Sequence, residues 1–179
     1  MKRAAFLDRD GVLNASIMNQ GIPVPPRSLD EVVMLDGVEE SVKLLKLFDF
    51  LPVVISNQPD VARGITSILS VNEINAHIGG KLDIQHFYVC FHDNKDLCEC
   101  RKPLPGLIYN AAMQLGLSIS NSFLVGDRWR DIEAGQRAGC ETFFIDYSYS
   151  ETQPKKPFTR VSSLLEAVEI VTGVNHGTK

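Results

Sequence analysis

Five short apolar runs, at residues 4–7, 51–55, 84–91, 122–125 and 142–145, punctuate this chain, with amphipathic stretches between them. Such runs are too short for helices and stop at polar or glycine-bearing turns, so they predict buried strands. The intervening stretches predict helices over 38–48, 70–78, 104–115 and 130–138, with a last one over 162–171. Apolar positions 38, 42, 44, 45 and 48 fall mostly on one helical face, Ser70 is read as a cap with Glu73 three residues on, Pro105 opens a helix and Gly139 closes one. Strands alternating with helices predict the α/β class: a Rossmann-like parallel sheet flanked by helices. Residues 14–30, with Pro23, Pro25 and Pro26, read as an irregular loop over the end of the first strand, so the expected cap is minimal. The tail from Asn175 to Lys179 reads as frayed.

With 179 residues, 44% of them hydrophobic and 22% charged, the expectation is one domain over 1–179 that builds its core without disulfides. The pI near 5.5 and the lack of a basic block beyond Lys155-Lys156 argue against a nucleic-acid partner. Only four apolar residues follow Lys2 and Arg3 before Asp8, and no stretch approaches a membrane span. A cytoplasmic protein without a membrane partner is expected, with a monomer as the default.

Open α/β sheets place their sites at the carboxyl ends of the strands. Here those ends carry Asp8 and Asp10, then Ser56, then Asp127. Asp8 and Asp10 point to the same side of an extended chain, and two carboxylates that close repel unless a cation or a shared proton intervenes. The set suits phosphoryl transfer. Asp8 can attack phosphorus, Asp10 can protonate the leaving oxygen and later deprotonate water, and Asp127 completes an oxygen-rich magnesium site. Ser56 can donate to a phosphoryl oxygen and Lys102 can neutralise the equatorial charge. Asp131, four residues after Asp127, suits support behind the site, although an exposed pair with Arg128 or Lys102 is the plainer alternative.

A second signal runs from Cys90 to Cys100, where Cys90, His92, Cys98 and Cys100 follow the spacing C-x-H-x5-C-x-C. Three thiolates and an imidazole make a complete tetrahedral zinc set with no open position, so a closed structural zinc loop over 90–100 is expected. Its job would be to order the approach to Arg101 and Lys102. Cys140 lies outside the cluster and reads as a core thiol. A zinc-stabilised binding module remains the non-enzyme alternative.

The ordered set Asp8-x-Asp10, Ser56, Lys102 and Gly126-Asp127 resembles the haloacid dehalogenase superfamily of phosphatases over nearly the whole chain. Ser56-Asn57-Gln58, Val61-Ala62-Arg63-Gly64, the cysteine–histidine loop and Arg101-Lys102-Pro103 are similar to its sugar-bisphosphate branch. The related histidinol-phosphate branch shares the aspartates and the zinc loop. The resemblance implies a phosphoric monoester hydrolase with an aspartyl-phosphate intermediate, magnesium on Asp8, Asp127 and the Asp10 carbonyl, and structural zinc. It also implies removal of the 7-phosphate of a heptose bisphosphate in surface-glycan precursor synthesis. Substrate contacts are implied for the loop after Asp10, for Ser56 through Pro59 (with Asn57 and Gln58), and for Arg101 and Arg128. The chain departs from the family pattern at Pro59-Asp60 and across 17–28.

Overall fold

The computed structural model describes residues 1–174, so the predicted fraying of the tail from Asn175 lies outside the described residues. In chain order the elements are β1 (Arg3–Leu7), β2 (Ile17–Asn19), β3 (Ile22–Val24), α1 (Val38–Leu47), β4 (Phe50–Asn57), α2 (Ile68–Leu82) and β5 (His86–Cys90). There follow α3 (Gly106–Leu115), β6 (Phe123–Gly126), α4 (Trp129–Ala138), β7 (Glu141–Ile145), β8 (Thr159–Val161) and α5 (Leu164–Thr172). Six strands form one sheet in the order β5-β4-β1-β6-β7-β8, and every pairing is parallel. β1 sits at its centre, so Asp8 leaves the sheet with a strand on either side.

The two-residue period of the strands sorts the core into two layers. Ala5 and Leu7 of β1, Val54 of β4 and Phe123 and Val125 of β6 face α1, α2 and α5, meeting Val42, Leu45, Ile74, Ile78 and Val168. Their neighbours Ala4, Phe6, Val53, Ile55 and Leu124 face α3 and α4, meeting Ile108, Ala111 and Ala134. Phe123 is packed edge-on between Phe50 and Phe143, with ring centroids 5.2 and 5.6 Å away. Cys140 is a buried free thiol in the second layer, as its sequence context suggested.

The structure corrects the sequence reading at three places. Residues 14–30 are not wholly irregular: β2 and β3 pair antiparallel around Gln20 and Gly21, both with positive φ (50° and 80°), the geometry of a type I′ hairpin turn. A sixth strand, β8, joins the edge beside β7. The cap of α2 is Ser67, not Ser70; its Oγ accepts from the Ser70 amide at 3.0 Å, and the helix runs on to Leu82. Among the described residues no helix is long and apolar enough to cross a membrane.

Candidate active site

The carboxyl ends of β1, β4 and β6 converge on a cavity of about 230 Å³. Its walls include Asp8, Asp10, Asn57, Lys102 and Asp131, with Ile22 to Pro25 of the hairpin above. Asp127 stands immediately behind, and the backbone makes room for it. Gly11 has a φ of 89°, and a Cβ there would lie 2.0 Å from Asp127 Oδ2. Gly126 is equally constrained, since a Cβ would lie 2.2 Å from that of Asp131.

Lys102 is the hub. Buried to 3% exposure, its Nζ reaches Asp8 Oδ1 at 2.7 Å, Asp131 Oδ1 at 2.6 Å and the Ile55 carbonyl at 2.8 Å. Burial pulls its pKa down, and the Asp131 and Asp8 carboxylates more than reverse that, so the ammonium form holds. Asn57 clamps the lysine's own backbone, donating to its carbonyl at 3.0 Å and accepting from its amide at 3.1 Å. Asp131 is therefore no exposed ion-pair partner: its Oδ1 takes the lysine, and its Oδ2 accepts the Arg128 amide at 3.0 Å, capping α4.

Asp10 is held by four donors. Arg9, itself fully buried, donates from Nε and Nη2 at 3.0 Å each, Asn14 Nδ2 at 3.0 Å and Gln58 Nε2 at 2.7 Å. Arg9 is braced in turn by Asn75 of α2 at 3.0 Å. Gln58, read from the sequence as a substrate contact, is fully buried and stands behind Asp10 rather than on the cavity wall. It also donates to Ser56 Oγ at 2.9 Å, which leaves the Ser56 hydroxyl proton free for another acceptor.

Asp8, Asp127 and Asp131 each place an oxygen within 4.8 Å of the others, and both oxygens of Asp127 are buried without meeting the geometry of a hydrogen bond. Burial pushes Asp8 up to about 7, with Lys102 opposing and the Asp131 and Asp10 charges adding. Asp127 is pushed up too, by burial and then by Asp8 and Asp131, against a smaller pull from Tyr149 and Arg128. One lysine cannot balance this many carboxylates, and an uncompensated buried charge costs about 3–5 kcal/mol. An all-oxygen donor set with orphaned carboxylate oxygens fits a hard divalent cation.

At the end of β5 the second predicted cluster assembles. Cys90 Sγ lies 3.7 Å from Cys98 Sγ and 3.2 Å from Cys100 Sγ, these last two are 3.5 Å apart, and His92 Nδ1 lies 3.6 and 3.3 Å from Cys90 and Cys100. Four such donors could close around one metal ion. The loop they gather leads directly into Arg101, whose Nε donates to Asn94 Oδ1 at 2.9 Å, and into Lys102. Asp93 in the same loop takes both ends of the Arg63 guanidinium, at 2.7 and 3.1 Å, tying the loop after β4 to the cluster.

Sequence reasoning gave no site role to Arg9, Arg130, Tyr149 or Glu151, and named Arg63 only within the Val61-Ala62-Arg63-Gly64 motif. Glu151 takes the Arg128 guanidinium through both oxygens, and Tyr147 donates to the Gly11 carbonyl at 3.1 Å, so residues 147–151 close the side of the site beyond Asp127. These pairings span 23 and 136 residues, and no local pattern announces them.

Residues 99–167 match a HAD-hydrolase-like family model. The chain is 33% identical over 147 residues to the D-glycero-beta-D-manno-heptose-1,7-bisphosphate 7-phosphatase of Bordetella bronchiseptica, covering 78% of each. It is 30% identical over 151 residues to the Escherichia coli K12 enzyme of the same name, covering 78% of this chain and 76% of that one. The fold superposes on a crystal structure of the B. bronchiseptica phosphatase complexed with magnesium and phosphate, with a TM-score of 0.84, 25% identity and coverage of 96% and 98%. A HAD-like phosphatase from Mesorhizobium loti gives a TM-score of 0.76 at 24% identity, covering 96% of this chain and 86% of that one. With relatives this similar over more than three-quarters of its length, the chain belongs to the D-glycero-beta-D-manno-heptose-1,7-bisphosphate 7-phosphatase family of HAD-like hydrolases.

Proposed function

We propose that this protein hydrolyses the 7-phosphate of D-glycero-D-manno-heptose 1,7-bisphosphate through an aspartyl-phosphate on Asp8, serving surface-glycan precursor synthesis. The observation that carries the reading is the Asp8, Lys102, Asp131 network beside the unpaired Asp127 carboxylate, at the mouth of a cation-lined cavity. Magnesium would be held by Asp8, Asp127 and the Asp10 carbonyl, where it would supply positive charge to the phosphoryl oxygens. Asp8 forms the new bond to phosphorus as the bond to the sugar oxygen breaks, and Asp10 delivers a proton to that oxygen. Water then attacks the phosphorus, Asp10 takes its proton, and Asp8 is freed with inorganic phosphate. The donors from Arg9, Asn14 and Gln58 fix the Asp10 carboxyl group at the cavity wall, where the departing oxygen and the attacking water would meet it. Ser56 and Lys102 offer donors to the phosphoryl oxygens, and Asn57 keeps Lys102 in place.

The cluster of Cys90, His92, Cys98 and Cys100 is read as structural zinc within a single phosphatase domain. Zinc–sulfur bonds of ~2.3 Å put tetrahedral sulfurs ~3.8 Å apart, close to the 3.2–3.7 Å spacing seen here. Asp60, an acid that could pair with the amine of histidinol phosphate, lines the cavity and accepts from Arg63 Nη1 at 3.3 Å, so the substrate choice rests on the relatives rather than on this residue. Phosphate release measured on the heptose bisphosphate and on histidinol phosphate tests the choice. A large preference in kcat/KM for the former is expected; preference for histidinol phosphate would contradict it.

The crowded carboxylates also set a pH dependence. Without magnesium, Asp8 ionises at about 7 in the folded protein and near 3.8 when unfolded. Between those values the folded state binds the extra proton, so this contribution to stability is lost as pH rises through the window. Magnesium competes with that proton. Melting temperatures measured with and without magnesium should therefore diverge as pH rises from about 5 to 8. A gap that stays constant or narrows would contradict this charge balance.

A further inference from the structure

The cavity is lined by five basic side chains, Arg63, Arg101, Lys102, Arg128 and Arg130. Lys102 is taken by Asp8 and Asp131, Arg63 by Asp60 and Asp93, and Arg128 by Glu151. Arg101 is fixed in the zinc loop through Asn94 and the His92 carbonyl. Arg130 differs from all of them: among the described residues it pairs with no carboxylate and makes no hydrogen bond, and its guanidinium carbon lies over the Trp129 ring, 4.9 Å from the centroid.

This is an unfavourable place for an idle cation. Arg130 sits in the first turn of α4, where the backbone amides already present positive charge. Burial, then Arg128, then Arg101 all disfavour its charged form. Asp131 and Glu151 lie near enough to offset part of this, but both are engaged elsewhere, on Lys102 and Arg128. Stacking on Trp129 occupies the face of the guanidinium and leaves its N–H edge available, the arrangement that suits two parallel hydrogen bonds to an oxyanion. Lys102 already marks where the reacting phosphoryl group meets Asp8, so a second anion at Arg130 belongs to another part of the same ligand.

We propose that Arg130 is a specificity-determining residue that binds the non-reacting phosphate of a sugar bisphosphate. The inference rests on the bisphosphate reading of the substrate and adds to it a residue that selects two phosphates over one. Its role is in binding, not in the chemical step, so its removal acts mainly through KM.

The test compares kcat/KM of wild-type, Arg130→Gln and Arg130→Lys proteins on heptose 1,7-bisphosphate and on heptose 7-phosphate, which lacks the distal group. Wild type should prefer the bisphosphate. Arg130→Gln should lose roughly 10-fold or more on the bisphosphate, chiefly in KM, with a much smaller loss on the monophosphate, so that the preference collapses. Arg130→Lys, keeping the charge without the fork, should recover part of it. If Arg130→Gln retains the wild-type preference, the role of Arg130 is overturned while the substrate reading stands. A wild type that shows no preference for the bisphosphate overturns both.

Discussion

Replacing Asp8 with Asn lowers kcat by roughly 10³-fold or more, because an amide oxygen does not form the acyl phosphate of the proposed mechanism. The same change leaves the magnesium-free protein at least as stable as wild type. Asp8 is pushed up to about 7 by burial and by neighbouring carboxylates, so removing its charge relieves repulsion within the set. Lys102 loses one partner but keeps Asp131 at 2.6 Å and the Ile55 carbonyl at 2.8 Å. The pair of readouts separates a lost nucleophile from a lost fold. Initial-rate assays of phosphate release, with thermal melts of the same samples, check both. Turnover within a few fold of wild type would remove Asp8 from the mechanism.

The second large effect belongs to the cluster at the end of β5. Replacing Cys98 with Ala leaves two thiols and one imidazole, and a closed four-ligand zinc site does not survive the loss of a ligand. Metal-binding energy of this kind is folding energy; losing about 3 kcal/mol of it would lower Tm by roughly 6–12 °C in a chain of this size. Activity should fall as well, since the loop holds Arg101 through Asn94 and the His92 carbonyl and runs directly into Lys102. Elemental analysis, a melting curve and kcat on the same preparation check the prediction. Loss of zinc with an unchanged melting curve would mean that the metal does not hold the loop.

Much of this architecture is legible in the sequence because its determinants are local. The alternation Ala4, Ala5, Phe6, Leu7 and the run through Val53, Val54 and Ile55 divide between the two faces of the sheet as a two-residue period requires. The carboxylates at strand ends and the clustered side chains of Cys90, His92, Cys98 and Cys100 are close in sequence or fixed by topology, so residue type and spacing suffice. What escaped depends on partners far along the chain. β8 is three residues of which only Val161 is buried, too short for a pattern. The hairpin is hidden by Pro23, which pairs with Met18 although its ring removes a donor. The start of α2 was obscured because Ile68 and Leu69 are half or more exposed and break the apolar face. Gln58 reads as a substrate contact in one dimension and nothing local marks Arg9; only the assembled site shows them turned inward to hold Asp10.

The most direct test of the account is phosphorus NMR of heptose 1,7-bisphosphate incubated with the purified protein and magnesium. The 7-phosphate resonance should be replaced by that of inorganic phosphate while the 1-phosphate resonance persists. Loss of the 1-phosphate first, or persistence of both resonances, would contradict it.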